Sequence, residues 1–392
     1  MAYTAEDSSI GLIALQQQVA RLQALLEASR QIHAAVRLED AMNVALQTIV
    51  RELEVQGAYF TAPPLTYGDV PPAPFEGCLR LPIYDKDGRD LTELIVAPNP
   101  AQPLGMYEED FVQGVALQAS VAIENARYHE RNVAWVRLEQ DLGAARTVQR
   151  SLLPQTMPDL PGYRLAVRSS ACYEVGGDYA DILTLPSGDV MMVVADVAGK
   201  GLASAIMSTA FRSAFRAMAT SGLSLADIAV RLNQEHWGEG AEARLRYVTA
   251  IFLKLDAKAG RIEVVNAGHS PGFLADANGL RQIDAGGRPL GILPGPQYAS
   301  ETLDFPPGAR LLLYTDGLTD QVNEKDEEFG ADRLAEEFVN CAVPGGKAIL
   351  DHLWERVFRY ADGVEQGDDM TALVLCREAD GRQSDNPEET AW

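Results

Sequence analysis

Four aspartates stand at the borders of apolar runs: Asp178 in EVGGDYAD, Asp196 in VVADVAGKG, Asp316 in LLLYTDGLTD and Asp368 in GDDMTALVL. Each follows, adjoins or opens a strand-like run, and each has a glycine close by. Acids at strand ends can converge at one edge of a sheet, so remote parts of the chain would have to share that edge. An all-oxygen site of this kind suits hard divalent ions, magnesium or manganese. Two ions held there can activate a water and clamp a phosphoryl group. The pattern points to a metal-dependent hydrolase of phosphate esters. Taken singly the motifs are weak. Asp196, followed by a Gly199-Lys200-Gly201 turn and a helix, reads equally as a helix-capping aspartate. Gly176-Gly177 before Asp178 reads equally as a tight turn. The set of four carries the argument.

A chain of 392 residues predicts two or three domains, and 47% hydrophobic residues allow a sizeable core. The net charge of -23 disfavours nucleic acid and anionic membrane as partners. Cys78, Cys172, Cys341 and Cys376 form no CxxC pair, which argues against a zinc cluster. With no signal-peptide pattern and no 18-residue apolar run, a cytoplasmic location is expected.

Along the chain, Leu12, Leu15, Val19, Leu22 and Leu26 repeat with 3-4-3-4 spacing. That is a coiled-coil seam or one face of a helix packed on its own domain. A second helix is predicted over Leu38–Leu53, then strands at Gly57–Thr61, Cys78–Ile83 and Leu91–Ala97, with prolines breaking the first two apart. A long helix runs from Glu108 or Glu109 to about Leu153, where Pro154 stops it. Its broken seam is Val121, Tyr128, Trp135, Leu138, Leu142, Ala145 and Leu152, interrupted by Arg131 and Gln149. It reads as a connector or dimer stalk, or as two helices bent near Asn132. From Tyr163 onward strand-like runs alternate with helical segments, and short turns such as Leu185–Asp189 argue for antiparallel pairing. The fold class is α/β: an α/β/β/α sandwich of two antiparallel sheets, joined by the long helix to a small α+β domain. The expected boundaries are 1–36 for the first helix, 37–120 for the small domain, 121–154 for the helical linker, 155–378 for the sandwich and 379–392 for a charged tail.

Read together, the motifs resemble the SpoIIE-type, RsbU-like branch of the metal-dependent PP2C serine/threonine phosphatases. The likeness begins at ARTVQRSLLP (Ala145–Pro154). It continues through Glu174–Asp181, Asp196–Gly201, Thr249, Asn266–Pro271, Pro289–Gly291, Tyr314–Asp320 and Gly367–Thr371. It implies two Mn2+ or Mg2+ ions held by Asp178, Asp196, Asp316 and Asp368, the catalytic set. Asp196 would bridge the ions, the Val197 carbonyl would be a further ligand, and Asp369 would be a neighbouring metal residue. Asp181 would act as a supporting or auxiliary acid. The resemblance further implies a phosphorylated anti-anti-sigma (STAS-type) protein as substrate, and the two helical seams, Leu12 to Leu26 and Val121 to Leu152, point to a homodimer. The chain departs from the pattern at Lys200, where histidine is common, at Ala180, where an aromatic is common, and before the EVGGD run, where Ser169–Tyr173 carries no proline. His269 is suited by its ordinary pKa to act as a general acid, but sits in a loop-shaping motif and is read as structural. The N-terminal region resembles a GAF sensor domain, short for a complete one, with a PAS-like fold as the alternative. A non-catalytic dimeric module that binds a phosphoprotein is the competing functional class.

Overall fold

The computed structural model describes residues 5–379 except 36, 72–74, 76, 155, 285 and 344. The chain divides into two compact units, residues 1–139 and 140–392.

In the first unit, α1 (Ala5–Ala34) and α2 (Leu38–Leu53) precede four strands, β1 (Gly57–Thr61), β2 (Pro64–Gly68), β3 (Leu79–Tyr84) and β4 (Asp90–Ala97). The strands form one antiparallel sheet in the order β2-β1-β4-β3. β2 lies outside the sequence-based expectation because Pro63 and Pro64 read as breakers. Pro64 in fact opens an edge strand, where the missing N–H breaks no ladder bond. The sheet buries Ala58, Phe60, Leu94 and Val96 against Met42, Leu46 and Ile49 of α2 and Val112, Val115 and Ile123 of the next helix. On α1, Ala28 and Ile32 enter this core while Val19, Leu22 and Leu26 are exposed. That half of the predicted seam therefore does not pack on its own domain. The side chains of Leu12 and Leu15 lie outside the described residues.

The long helix is a single element, α3 (Met106–Leu152), with no break at Asn132. Every side chain from Tyr128 to Asp141 is exposed, including Tyr128, Trp135 and Leu138.

The second unit holds β5 (Tyr163–Ser170), β6 (Tyr179–Thr184), β7 (Val190–Val197), α4 (Leu202–Ala219), α5 (Leu225–Gly238) and α6 (Ala241–Arg244). It continues with β8 (Val248–Asp256), β9 (Arg261–Ala267), β10 (Gly272–Asp276), β11 (Gly279–Ile283), β12 (Glu301–Asp304) and β13 (Arg310–Tyr314). A 3-10 turn at Asp316–Leu318 leads to α7 (Ala331–Asn340), α8 (Gly346–Ala361) and β14 (Met370–Arg377). Two antiparallel sheets result, ordered β11-β10-β13-β14-β5 and β12-β9-β8-β7-β6. They pack face to face through Val190, Met192 and Val194 of β7, Ile251 and Leu253 of β8, Leu311 and Leu313 of β13, and Leu373 and Leu375 of β14. Alternate residues face outward. Ala372 and Val374 meet Leu334, Phe338, Leu350 and Trp354 of α7 and α8, while Met191, Val193 and Ala195 meet Phe211, Phe215, Ile228 and Leu232 of α4 and α5. Burial on both faces explains why these strands read as continuous apolar runs although they are antiparallel. The architecture is the expected α/β/β/α sandwich.

Candidate active site

Antiparallel pairing puts the end of one strand beside the start of its neighbour, and here that rule collects the acids. β6 and β7 are partners, so Asp178, just before β6, lies at the same edge as Asp196, near the end of β7. β13 and β14 are partners in the other sheet, so Asp316, just after β13, lies at the same edge as Asp368 and Asp369, just before β14. Two hydrogen bonds tie the pairs together across the sheets. Thr315 Oγ1 donates to Asp178 Oδ2 at 2.8 Å, and the Gly177 N–H donates to Asp369 Oδ2 at 2.6 Å.

Glycine makes this closeness possible. A Cβ on Gly317 would stand 2.0 Å from the Asp369 carbonyl oxygen, and one on Gly176 would stand 2.4 Å from Asp369 Oδ2. A Cβ on Gly177 would stand 2.8 Å from the Val197 carbonyl oxygen, so that carbonyl borders the Asp178 turn. No side chain fits at these positions without moving backbone or carboxylate.

The electrostatics record crowding of like charge. Burial pushes Asp196 up to about 7, helped by Asp316, Asp368 and Asp369 and opposed by Lys200. Burial raises Asp178 well above the ordinary carboxylate range, with Asp196 and Asp369 adding to the effect and hydrogen bonds from Thr371 and Thr315 opposing it. Asp316 is exposed to water on one side yet raised, by desolvation first and then by Asp320 and Asp368. Asp368 pairs with Lys200, its Oδ2 lying 3.0 Å from the ammonium.

Asp369 is raised by burial, yet both its oxygens accept backbone N–H groups, from Cys172 at 2.8 Å and from Gly177. It holds the Cys172–Gly177 loop in place. Asp181, fully buried on β6, faces away toward α4. It accepts two bonds from Arg216 at 2.6 and 2.9 Å and bonds to the Tyr179 hydroxyl and the Ile182 N–H, so it braces α4 against the sheet. His269 is buried, with Nδ1 2.8 Å from Thr249 Oγ1, and its N–H donates to Asn266 Oδ1. Thr249 is the β8 residue opposite Asp196. Burial lowers the His269 pKa to about 4, which supports its structural reading.

In the sequence Gln149 interrupts a helical seam and lies within the ARTVQRSLLP run, with no contact assigned to its side chain. Its side-chain amide bonds Gly176 in both directions, donating to the carbonyl at 2.6 Å and accepting from the N–H at 3.2 Å. The sequence signals were a polar residue at a core-spaced position and its place in the ARTVQRSLLP run. Gln149 also lines a small cleft with Arg146, Arg150, Glu174, Asp178 and Asp369.

The donor set fits a hard divalent cation: carboxylates and a backbone carbonyl, gathered at one edge, repelling one another. As the side chains stand, no three Asp, Glu, His or Cys among the described residues close on one point as ion ligands do. The crowding of carboxylates is the feature an added cation would relieve.

Residues 186–378 match the family model described as Stage II sporulation protein E (SpoIIE). The chain is 27% identical over 267 residues to Protein IcfG of Synechocystis, a match spanning 62% of this chain and 42% of that protein. It is 28% identical over 185 residues to the phosphoserine phosphatase RsbP of Bacillus subtilis, a match spanning 46% of each. The chain thus spans about half the length of the curated relatives it matches. Among solved structures, the SiaA-PP2C domain of Pseudomonas aeruginosa aligns with a TM-score of 0.56 at 22% identity, covering 62% of this chain and 98% of that domain. The second unit has the PP2C-type phosphatase fold. Within that fold the acids occupy one edge of both sheets, where Asp178, Asp196, Asp316 and Asp368 come from four separate strand ends.

Proposed function

We propose that the second unit is a metal-dependent phosphoprotein phosphatase acting on phosphoserine or phosphothreonine. The observation that carries this reading is the meeting of four strand-end carboxylates at one edge, with Asp196 raised to about 7 among them. The phosphoserine phosphatase activity of RsbP supports it. Asp178, Asp196, Asp316, Asp368 and the Val197 carbonyl would hold two Mn2+ or Mg2+ ions. Bound there, such ions supply Lewis acidity that lowers the pKa of water and neutralises phosphoryl charge. The chain's own contribution is placement. Thr315 orients Asp178 through its 2.8 Å bond, and Asp369 holds the loop that carries Asp178 by accepting the Cys172 and Gly177 N–H groups.

The test is hydrolysis of a chromogenic phosphate monoester with added Mn2+. Asp196→Asn should lower kcat by two orders of magnitude or more while the circular dichroism spectrum stays unchanged. Near-normal turnover of that variant at saturating Mn2+ would reject the two-ion reading.

The finer parts of the reading are a phosphorylated STAS-type substrate, a GAF-like sensor in the first unit, and a homodimer. The first rests on kinship with the Rsb and SpoIIE regulators. The second rests on the four-stranded antiparallel sheet packed against helices. The third rests on the exposed apolar residues of α1 and α3. Intact-mass analysis after incubation with phosphorylated STAS proteins should show loss of 80 Da (about one phosphoryl group). Ester hydrolysis with every STAS phosphate retained would remove that partner and leave the enzyme.

A further inference from the structure

Lys200 stands in the turn that follows Asp196, between Gly199 and Gly201, whose φ angles are +97° and +78°. Both lie in the left-handed region that glycine reaches without strain. A Cβ on Gly199 would also stand 2.7 Å from the Arg246 guanidinium, the movable end of a long side chain. The turn carries Lys200 across to the loop before β14. There its ammonium donates to the Gly367 carbonyl at 2.6 Å and lies 3.0 Å from Asp368 Oδ2. The other Asp368 oxygen, Oδ1, accepts the Asp369 N–H at 2.9 Å. Each Asp368 oxygen therefore already has a donor from the protein.

We propose that Lys200 is a tethered cation that competes with divalent metal for Asp368, so that its displacement sets the metal concentration at which the site fills. The proposal rests on the metal reading above. Its geometry is that of a removable plug. The Lys200 and Asp368 side chains are 46% and 42% exposed, so the ammonium can swing into water on its flexible stem with little desolvation change. An ion pair this exposed is weak, and a doubly charged ion that also meets Asp178, Asp196 and Asp316 outweighs it. Until the plug is displaced, it screens part of the repulsion among the acids and joins the Asp196 turn to the Asp368 loop.

Isothermal titration of the metal-free full-length protein with Mn2+ tests this directly, without any substrate. Lys200→Met should bind Mn2+ roughly fivefold more tightly, the factor that follows from removing an exposed pair worth about 1 kcal/mol. Lys200→Arg should keep the wild-type affinity or weaken it, since the guanidinium is permanently charged and grips a carboxylate with two donors. In an Asp368→Asn background, Lys200→Met should change Mn2+ affinity by less than twofold, because the contested carboxylate is gone. Equal or weaker Mn2+ binding by Lys200→Met overturns the competitor role. A raised KM for ester at unchanged Mn2+ affinity also overturns it, and assigns Lys200 to substrate phosphate instead. No Mn2+ binding by the wild-type protein removes the metal reading itself, a result distinct from equal affinities in the two proteins.

Discussion

At the scale of single residues, the acidic edge shows how environment assigns different work to one chemical group. Asp369 is spent on two backbone N–H donors, Asp181 on an arginine and a tyrosine, and Asp368 on a lysine. Asp178 and Asp196 are left among like charges. His269 gives a prediction of its own. Its folded pKa of about 4 lies below the ordinary 6.5, so the unfolded chain binds a proton there first. Its share of stability is complete above pH 6.5 and is lost as pH falls through 6.5 toward 4, about 3 kcal/mol over the window. The raised carboxyls of the metal-free site act with the opposite sign, gaining protons in the folded state as pH falls. Comparison of the wild type with His269→Gln isolates the histidine. Urea midpoints at pH 6.5, 5.5 and 4.5 should fall less steeply for the variant, and parallel slopes would show that the buried imidazole does not control the acid limb.

At the scale of elements, the end of α3 is the joint between a helix and the acid-bearing turn. Gln149 grips Gly176, two residues before Asp178, and Arg212 of α4 donates to the Leu152 carbonyl at 2.8 Å. α4 itself starts directly after the Asp196 turn. The last turns of α3 thus touch the loop that carries Asp178 and the helix that follows the Asp196 turn. Gln149→Ala removes two hydrogen bonds, a cost of about 1–3 kcal/mol if the Gly176 groups stay dry. The expected outcome is a fall in kcat of tenfold or more, with half-maximal activity moved to higher Mn2+ and a melting temperature lowered by only a few degrees. A variant that melts early but keeps its Mn2+ dependence would reduce Gln149 to a packing residue.

At the scale of the whole molecule, the bare stretch of α3 is the least economical feature for a lone chain. Trp135 is 67% exposed and Leu138 50%, on a helix whose side chains are all exposed from Tyr128 to Asp141. Burying such a stripe against a second copy is the ordinary remedy. Light scattering of the full chain should return twice the mass of 42.5 kDa, and the paired change Leu138→Asp, Leu142→Asp should return it toward the single mass. A monomer at micromolar concentration, unaltered by the double change, would remove the stalk reading. No helix among the described residues is long and apolar enough to cross a membrane.

Much of this organisation is legible before folding. The strands of the second unit's core, its main helices and the four aspartates all follow from local properties: an apolar run bounded by glycine or proline, a helical spacing, a carboxylate at a run's border. Such signals survive because each depends on residues close together in the chain. The edge strands β2, β11 and β12 were not legible, because short, half-exposed strands carry little apolar pattern and are defined by the neighbour they pair with. The roles within the acidic set were not legible either. Aspartate 369 and aspartate 368 are adjacent in sequence and chemically identical, yet one meets two N–H groups and the other an ammonium. Gln149 breaks a helical seam in the sequence, and only the fold sets its amide against the Gly176 turn. The sequence by itself determined which segments are strands and which residues are charged. Tertiary structure alone decided which strand ends share an edge and which donor each carboxylate meets, because the Cys172–Asp369 bond spans 197 residues and such pairings exist only once two sheets have packed.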